Sequence, residues 1–132
     1  MNARILSAVF AGGALGSASR YLVILAVVNL PVAPPLFELV ATAVVNLSGA
    51  LALGVIHSVG SRKSPSWKSF WGPGFAGGFT TMSGLAMITG GAELGLYLFW
   101  IAVATQLVLG VLAYALGKSI ADAHALKIAR AS

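Results

Sequence analysis

The chain has 132 residues, 58% of them hydrophobic and only 8% charged, with a mean hydropathy of +0.94. Ordinary soluble domains carry about 25% charge, so this composition excludes one and identifies an integral membrane protein. At about 20 residues per span, the length accommodates roughly four transmembrane helices as a single membrane domain over 1–132 and leaves no room for a soluble domain.

The net charge of +5 raises the question of nucleic acid, but basic residues in a membrane protein serve first to set orientation, and no nucleic-acid partner is expected. Cysteine is absent, which removes disulfides, thiolate metal sites and redox nucleophiles. The three acids, Glu38, Glu93 and Asp122, and the two histidines, His57 and His124, are not spaced as an acid and base pair or as a metal cluster. The chain is therefore expected not to be an enzyme.

The first apolar run extends over 5–28 and is interrupted only by Arg20. Ser17-Ala18-Ser19 resembles a signal-peptide cleavage site, but the run is too long and stays apolar beyond Arg20, so a span is expected. Gly12 and Gly16, with Gly13 and Ser17 beside them, form a small-residue face that lets another backbone approach closely. Arg20 continues that face. Two readings stand side by side: a guanidinium snorkelling to the far interface, or a cation turned toward an internal aqueous cavity. Either favours an anion nearby.

After the proline-rich connection from Asn29 to Pro35, the second span covers 36–56. Thr42, Asn46 and Gly49 draw a polar line down one of its faces. Asn46 either bonds a neighbouring helix or donates its amide to a passing anion. His57 to Lys68 reads as a solvent-exposed polar loop.

The third span, 69–88, contains Gly72-Pro73-Gly74-Phe75-Ala76-Gly77-Gly78-Phe79-Thr80-Thr81-Met82-Ser83-Gly84, which has the composition of a loop where a span is needed. Non-helical backbone at membrane depth is tolerated only where it is buried in protein or lines a polar cavity. The stretch thus reads as a broken helix with a purpose. A tight connection, Gly90 to Glu93, leads to the fourth span over 94–117, with Thr105 and Gln106 near its middle. The tail from Lys118 to Ser132 is expected to lie as a short interfacial helix.

With four spans, Arg4, Arg62, Lys63, Lys68, Lys118, Lys127 and Arg130 fall on one side of the membrane, and the first and third connections carry no basic residue. The positive-inside rule then predicts both termini to be cytoplasmic, and a bias this lopsided argues against insertion in both orientations.

These residues resemble the small Fluc-type fluoride channels, the CrcB family of fluoride exporters. The likeness covers nearly the whole chain through Gly13-Ala14-Leu15-Gly16-Ser17-Ala18-Ser19-Arg20-Tyr21, Val45-Asn46-Leu47-Ser48-Gly49 and, most specifically, Gly74-Phe75-Ala76-Gly77-Gly78-Phe79-Thr80-Thr81-Met82-Ser83. The resemblance implies an all-α membrane protein of four helices with a break in the third, assembling as an antiparallel dimer in the cytoplasmic membrane. It implies two anion pores along the subunit interface, a structural sodium ion held by the backbone carbonyls of Gly77 and Thr80, and passive export of fluoride. Arg20, Asn46, Thr81 and Ser83 match pore positions. A small, strongly hydrated anion needs closely placed donors to exchange its water.

The departures lie just beyond the break. Where the family pattern has two pore-lining phenylalanines and a glutamate, this chain has Met82, Leu85 and Ile88, and Gly84 replaces the intervening threonine. Val103, Leu107 and Val111 stand near positions that carry hydroxyls in relatives. The charge bias and the missing pore residues converge on one subunit of a heterodimer, favoured over a homodimer, whose oppositely oriented partner supplies the missing side chains. One rival is a non-conducting or weakly conducting partner subunit. Another is a small multidrug-resistance-type transporter, which would need a membrane-embedded acid that the first span lacks.

Overall fold

The computed structural model describes residues 2–29, 36–61, 63–84 and 96–131, and among these all regular structure is helical. Helix α1 spans Ala3–Val28 and α2 spans Leu36–Gly60. Helix α3 covers 65–79, and α4 runs over Leu96–Ala131. Leu85, Ile88 and the expected first and third connections, including Glu93, lie outside the described residues.

The second connection is much shorter than its polar composition suggests, because α2 continues to Gly60 and α3 already begins at Pro65. Ser64 caps α3, its hydroxyl accepting from Trp67 N at 3.3 Å, and Pro65 takes the first helical position, where its missing N–H costs nothing. The tail also differs from expectation. Rather than forming a separate interfacial helix, it continues α4 without interruption to Ala131. At 1.5 Å per residue, α4 is about 54 Å long and overruns a hydrocarbon core of about 30 Å. No proline interrupts the Lys118 to Ala131 stretch, Lys118 pairs with Asp122 one turn on at 2.8 Å, and Asp122 accepts from the Ser58 hydroxyl of α2. Those contacts keep the extension in line with the rest of the helix.

Helix α3 begins with an α-helical turn, Pro65–Ser69, widens into a π-helix over Phe70–Ala76, and closes with Gly77–Phe79. The widening has an identifiable cause in Pro73, which has no N–H to donate and whose ring would crowd the carbonyl four residues back in an α-helix. The glycine-rich stretch is therefore largely helical, and its true interruption is narrower than its composition suggests. Thr80 turns to extended backbone at φ −76° and ψ 157°, and helical geometry resumes only at Ser83 and Gly84. From Pro65 to Phe79 the helix climbs only about 20 Å, so the break falls within the membrane rather than at its surface. Helices α1, α2 and α4 each contain an uninterrupted stretch long and apolar enough to cross.

Residue pairings fix the directions. Gly12, Gly16 and Arg20 of α1 meet Phe70, Phe75 and Thr80 in rising order, so α1 and α3 run parallel. Asn46, Gly54 and Ser58 of α2 meet Gln106, Tyr114 and Asp122, so α2 and α4 also run parallel. Gly60 lies on Trp67 whereas Gly49 lies on Thr80, which sets α2 antiparallel to α3. The start of α1, the end of α2, the start of α3 and the end of α4 consequently share one end of the bundle, and with them Arg4, Lys63, Lys68, Lys118, Lys127 and Arg130. Four aromatic rings, Trp67, Trp71, Phe75 and Phe79, ascend α3 at four-residue spacing, with Phe75 and Phe79 stacked at 5.7 Å.

The small-residue face of α1 is a packing face. A side chain at Gly12 would collide with the Phe70 carbonyl, and one at Gly16 with the Phe75 carbonyl, because α3 lies backbone to backbone against them. Interfaces of this kind take the place of the hydrophobic effect, which does not drive helices together in lipid. Gly16→Leu is expected to destabilise the fold by about 3 kcal/mol or more through overpacking against immovable backbone, whereas Gly110→Ala, which meets nothing within 4 Å, should leave it unchanged or slightly stabilised. Thermal unfolding in detergent checks both.

Candidate pore site at the helix break

One polar layer crosses the bundle at the level of Thr80 and Thr81. A chain that leaves its helix inside a membrane strands backbone groups, and each must find another partner. The Thr80 N–H and hydroxyl both donate to the Ala76 carbonyl, at 3.0 and 2.9 Å. Thr81 is clamped by Asn46, whose Oδ1 accepts from Thr81 N at 2.8 Å while its Nδ2 donates to the Thr81 carbonyl at 3.0 Å. A primary amide is the side chain suited to this task, because it offers a donor and an acceptor with the same spacing as a peptide group.

The polar line on α2 follows the break closely. Thr42 is buried and lies against Gly84, Asn46 holds Thr81, and Gly49 leaves room for Thr80 and Phe79, since an added carbon there would stand 2.5 Å from Thr80 Cγ2. From α1, Ser17 Oγ donates to the Gly78 carbonyl and Arg20 Nη1 to the Thr80 carbonyl, each at 3.4 Å. Arg20 thus reaches inward to the break. After it, the Thr81 and Ser83 hydroxyls lie 2.9 Å apart, and Thr81 Oγ1 accepts from Gly84 N at 3.1 Å.

Asn46 has two amide hydrogens and spends both, one on Thr81 and the other on Gln106 Oε1 of α4 at 3.1 Å. In this arrangement it holds structure together and has no hydrogen left for an anion. Gln106, which the sequence shows only as a mid-span amide, is instead the residue left with capacity: its Nε2 is buried and, among the described residues, without a hydrogen-bond partner. A buried donor left unpaired costs about 1–3 kcal/mol.

Two cavities flank the clamped threonine. The smaller, about 180 Å³, is lined by Asn46, Thr80, Thr81, Met82, Val103, Gln106 and Leu107. The larger, about 360 Å³, includes Arg20, Glu38, Thr42, Thr81, Ser83 and Gly84. Of the sequence-derived pore residues, Asn46, Thr81 and Met82 therefore meet at one cavity, and Arg20, Thr81 and Ser83 at the other. Met82 is 66% exposed.

The carbonyls expected to hold sodium sit at the break itself. In a continued helix Thr81 N–H would reach the Gly77 carbonyl, but it donates to Asn46 instead and so releases that oxygen. Among the described residues the Thr80 carbonyl carries only the long Arg20 contact. Uncharged oxygens of this kind fit a hard cation in donor type, although two from one chain are too few to enclose it. Gly77 is exposed, with open space where a side chain would stand.

Comparison with known proteins places this architecture. A family described as CrcB-like protein, Camphor Resistance (CrcB), matches residues 7–118. A protein of Bacteroides fragilis named fluoride-specific ion channel FluC is 36% identical over 83% of this chain and 89% of its own length. A fluoride-specific ion channel FluC of Gloeobacter violaceus is 44% identical over 60% of this chain and 63% of its own length, and a fluoride-specific ion channel FluC 2 of Bacillus subtilis is 42% identical over 61% and 58%.

Replacing Asn46 by leucine removes the partners that the described residues offer to the Thr81 backbone and to Gln106 Oε1. A loss of about 2–5 kcal/mol in stability is expected, with Asn46→Asp intermediate because it keeps the acceptor for Thr81 N; urea or thermal unfolding in detergent measures both. The clamped helix break, the small-residue seam of α1 and the match over residues 7–118 together establish that the chain belongs to the CrcB-like family.

Proposed function

We propose that this chain is a subunit of a fluoride-specific ion channel that releases fluoride passively across the cytoplasmic membrane, with both termini in the cytoplasm. The observation that carries the reading is the break at Thr80 and Thr81, held open by Asn46 in a layer that also contains Arg20 and the Gln106 amide. It combines a cation and hydrogen-bond donors at membrane depth, which is what an anion needs to shed its water there. The names of the relatives supply the ion.

The subunit works in a dimer with an oppositely oriented homologous chain, and the partner differs from it. Arg4, Lys63, Lys68, Lys118, Lys127 and Arg130, six of its eight basic residues, lie at one end of the bundle, so a second copy would insert the same way up rather than inverted. The open face at Gly77 supports a partner at the break, and the carbonyls of Gly77 and Thr80 would there help to hold a structural sodium ion completed by the partner's oxygens. Such an ion supplies a fixed positive charge that favours anions nearby.

Efflux of fluoride from liposomes tests the assignment. Reconstitution with an oppositely charged homologue should raise the rate by about tenfold or more over this chain alone, since each pore then gains the missing lining. Full efflux from the isolated chain would overturn the heterodimer, and no efflux in any pairing would overturn the channel. The absence of phenylalanine at positions 82 and 85 favours one further reading, a subunit that lines no conducting pore. Met82→Phe combined with Leu85→Phe separates the two: a severalfold faster efflux marks a weak pore in this chain, and an unchanged rate marks a purely supporting subunit.

A further inference from the structure

We propose that the side-chain amide of Gln106 is an anion-contacting donor of the pore, giving N–H hydrogens to fluoride in the cavity beside Thr81. The proposal rests on the channel reading and assigns a donor that neither the family's name nor the sequence pattern points to.

The argument begins with the orientation of the amides, which their surroundings determine. Thr81 N–H can only donate, so the Asn46 atom facing it at 2.8 Å must be oxygen; the Thr81 carbonyl can only accept, so the atom facing it at 3.0 Å must be nitrogen. That nitrogen has a second hydrogen, and it points at a Gln106 atom 3.1 Å away, which must therefore be Oε1. By elimination Nε2 occupies the other side of the Gln106 amide. It carries two hydrogens, is buried, and has no partner among the described residues. The break in α3 thus fixes Asn46, Asn46 fixes Gln106, and the result is a preoriented, unsatisfied donor.

Its surroundings define what it takes. Gln106 lines the cavity of about 180 Å³ with Thr80, Thr81, Met82, Val103 and Leu107, where apolar walls oppose a hydration shell and no carboxylate is among the lining residues. The missing partner is an acceptor, and a small monovalent anion meets the requirement in both charge and size. Asn46, the amide that sequence reasoning brings forward as a donor, is better described as the positioning residue for this one.

The chain contains a single glutamine, so its side-chain amide gives one assignable pair of NMR resonances. In the full chain in lipid nanodiscs, labelled with 15N-glutamine, fluoride should shift that pair saturably while chloride does not. In liposomes, assayed with its partner subunit where one is needed for conduction, Gln106→Glu should cut fluoride efflux at least about tenfold, the scale of one hydrogen bond to a charged partner. Glutamate keeps an oxygen for Asn46 but replaces the donor with an acceptor, and the melting temperature, measured in parallel, separates lost donation from lost fold. Efflux left intact by the change overturns the proposal. So does an amide pair that ignores fluoride in a chain that conducts it, which is the outcome expected if the donor instead meets a water or a partner's carbonyl. A fluoride-dependent shift in a chain that never conducts would uphold the site and reject the channel reading, so the two failures are distinguishable; should Gln106→Glu not fold, the titration of the unaltered protein decides.

Discussion

The double hydrogen bond between Asn46 and the backbone of Thr81 is the contact on which the interior of this bundle depends. Opening a helix in a membrane exposes peptide groups to a medium that cannot solvate them, at a cost of several kcal/mol for each group left bare. A single asparagine replaces both lost interactions of one residue. Everything else in the polar layer follows from that substitution: the released carbonyls, the inward reach of Arg20, the orientation of Gln106 and the two cavities on either side.

The rest of the fold serves to bring that asparagine to that threonine. Glycines at 12 and 16 let α1 lie directly on the α3 backbone, and the resulting approach is what allows Ser17 and Arg20 to touch carbonyls at 78 and 80. On the opposite side, Gly54 and Gly117 bring α2 and α4 equally close, and the same register carries Gln106 to Asn46 about two to three turns away. Close packing of small residues is thus the means by which polar groups of three separate helices reach a common level.

Much of this was legible in the sequence because it rests on local chemistry. Glycine spacing marked the α1 seam, the Thr42, Asn46 and Gly49 line marked the face turned to the break, and the combination of glycine and proline marked α3 as irregular. What composition could not convey was where the irregularity lies. Gly72 to Gly78 have the residue types of a loop but remain helical, since a π-helical widening accommodates Pro73, and Gly74 and Gly78 answer to packing against α1 rather than to turns. The interruption falls instead on two threonines, β-branched residues content in extended backbone. The connection between α2 and α3 misled through its charge, although Ser64-Pro65 carried the helix-start signal in plain view. The continuous α4 was hidden by a change from apolar to charged residues that alters the medium around a helix without ending it. Gln106 was visible only as a mid-span amide, because its significance depends on the Asn46 hydrogen count, which exists only in three dimensions.

The chemistry of the polar layer also bears on the sign of the ion. A guanidinium that binds a neutral carbonyl, as Arg20 does, keeps its full charge, whereas one held by a carboxylate would be largely cancelled. Glu38 lines the same cavity as Arg20, yet the one ion pair among the described residues, Lys118 with Asp122, lies near the far end of α4. A carrier of cations driven by protons would need the opposite balance, with an acid near mid-membrane to hold either the proton or the cargo. The cation at the break is joined by amide and hydroxyl donors and flanked by carbonyls whose dipoles would repel an anion if they faced it. The Gly78 and Thr80 carbonyls are turned to Ser17 and Arg20, while the unspent donor of Gln106 lies on the side of the smaller cavity. The break thus sets carbonyl oxygens on one side and an unspent amide donor on the other, a division that a single uninterrupted helix could not provide.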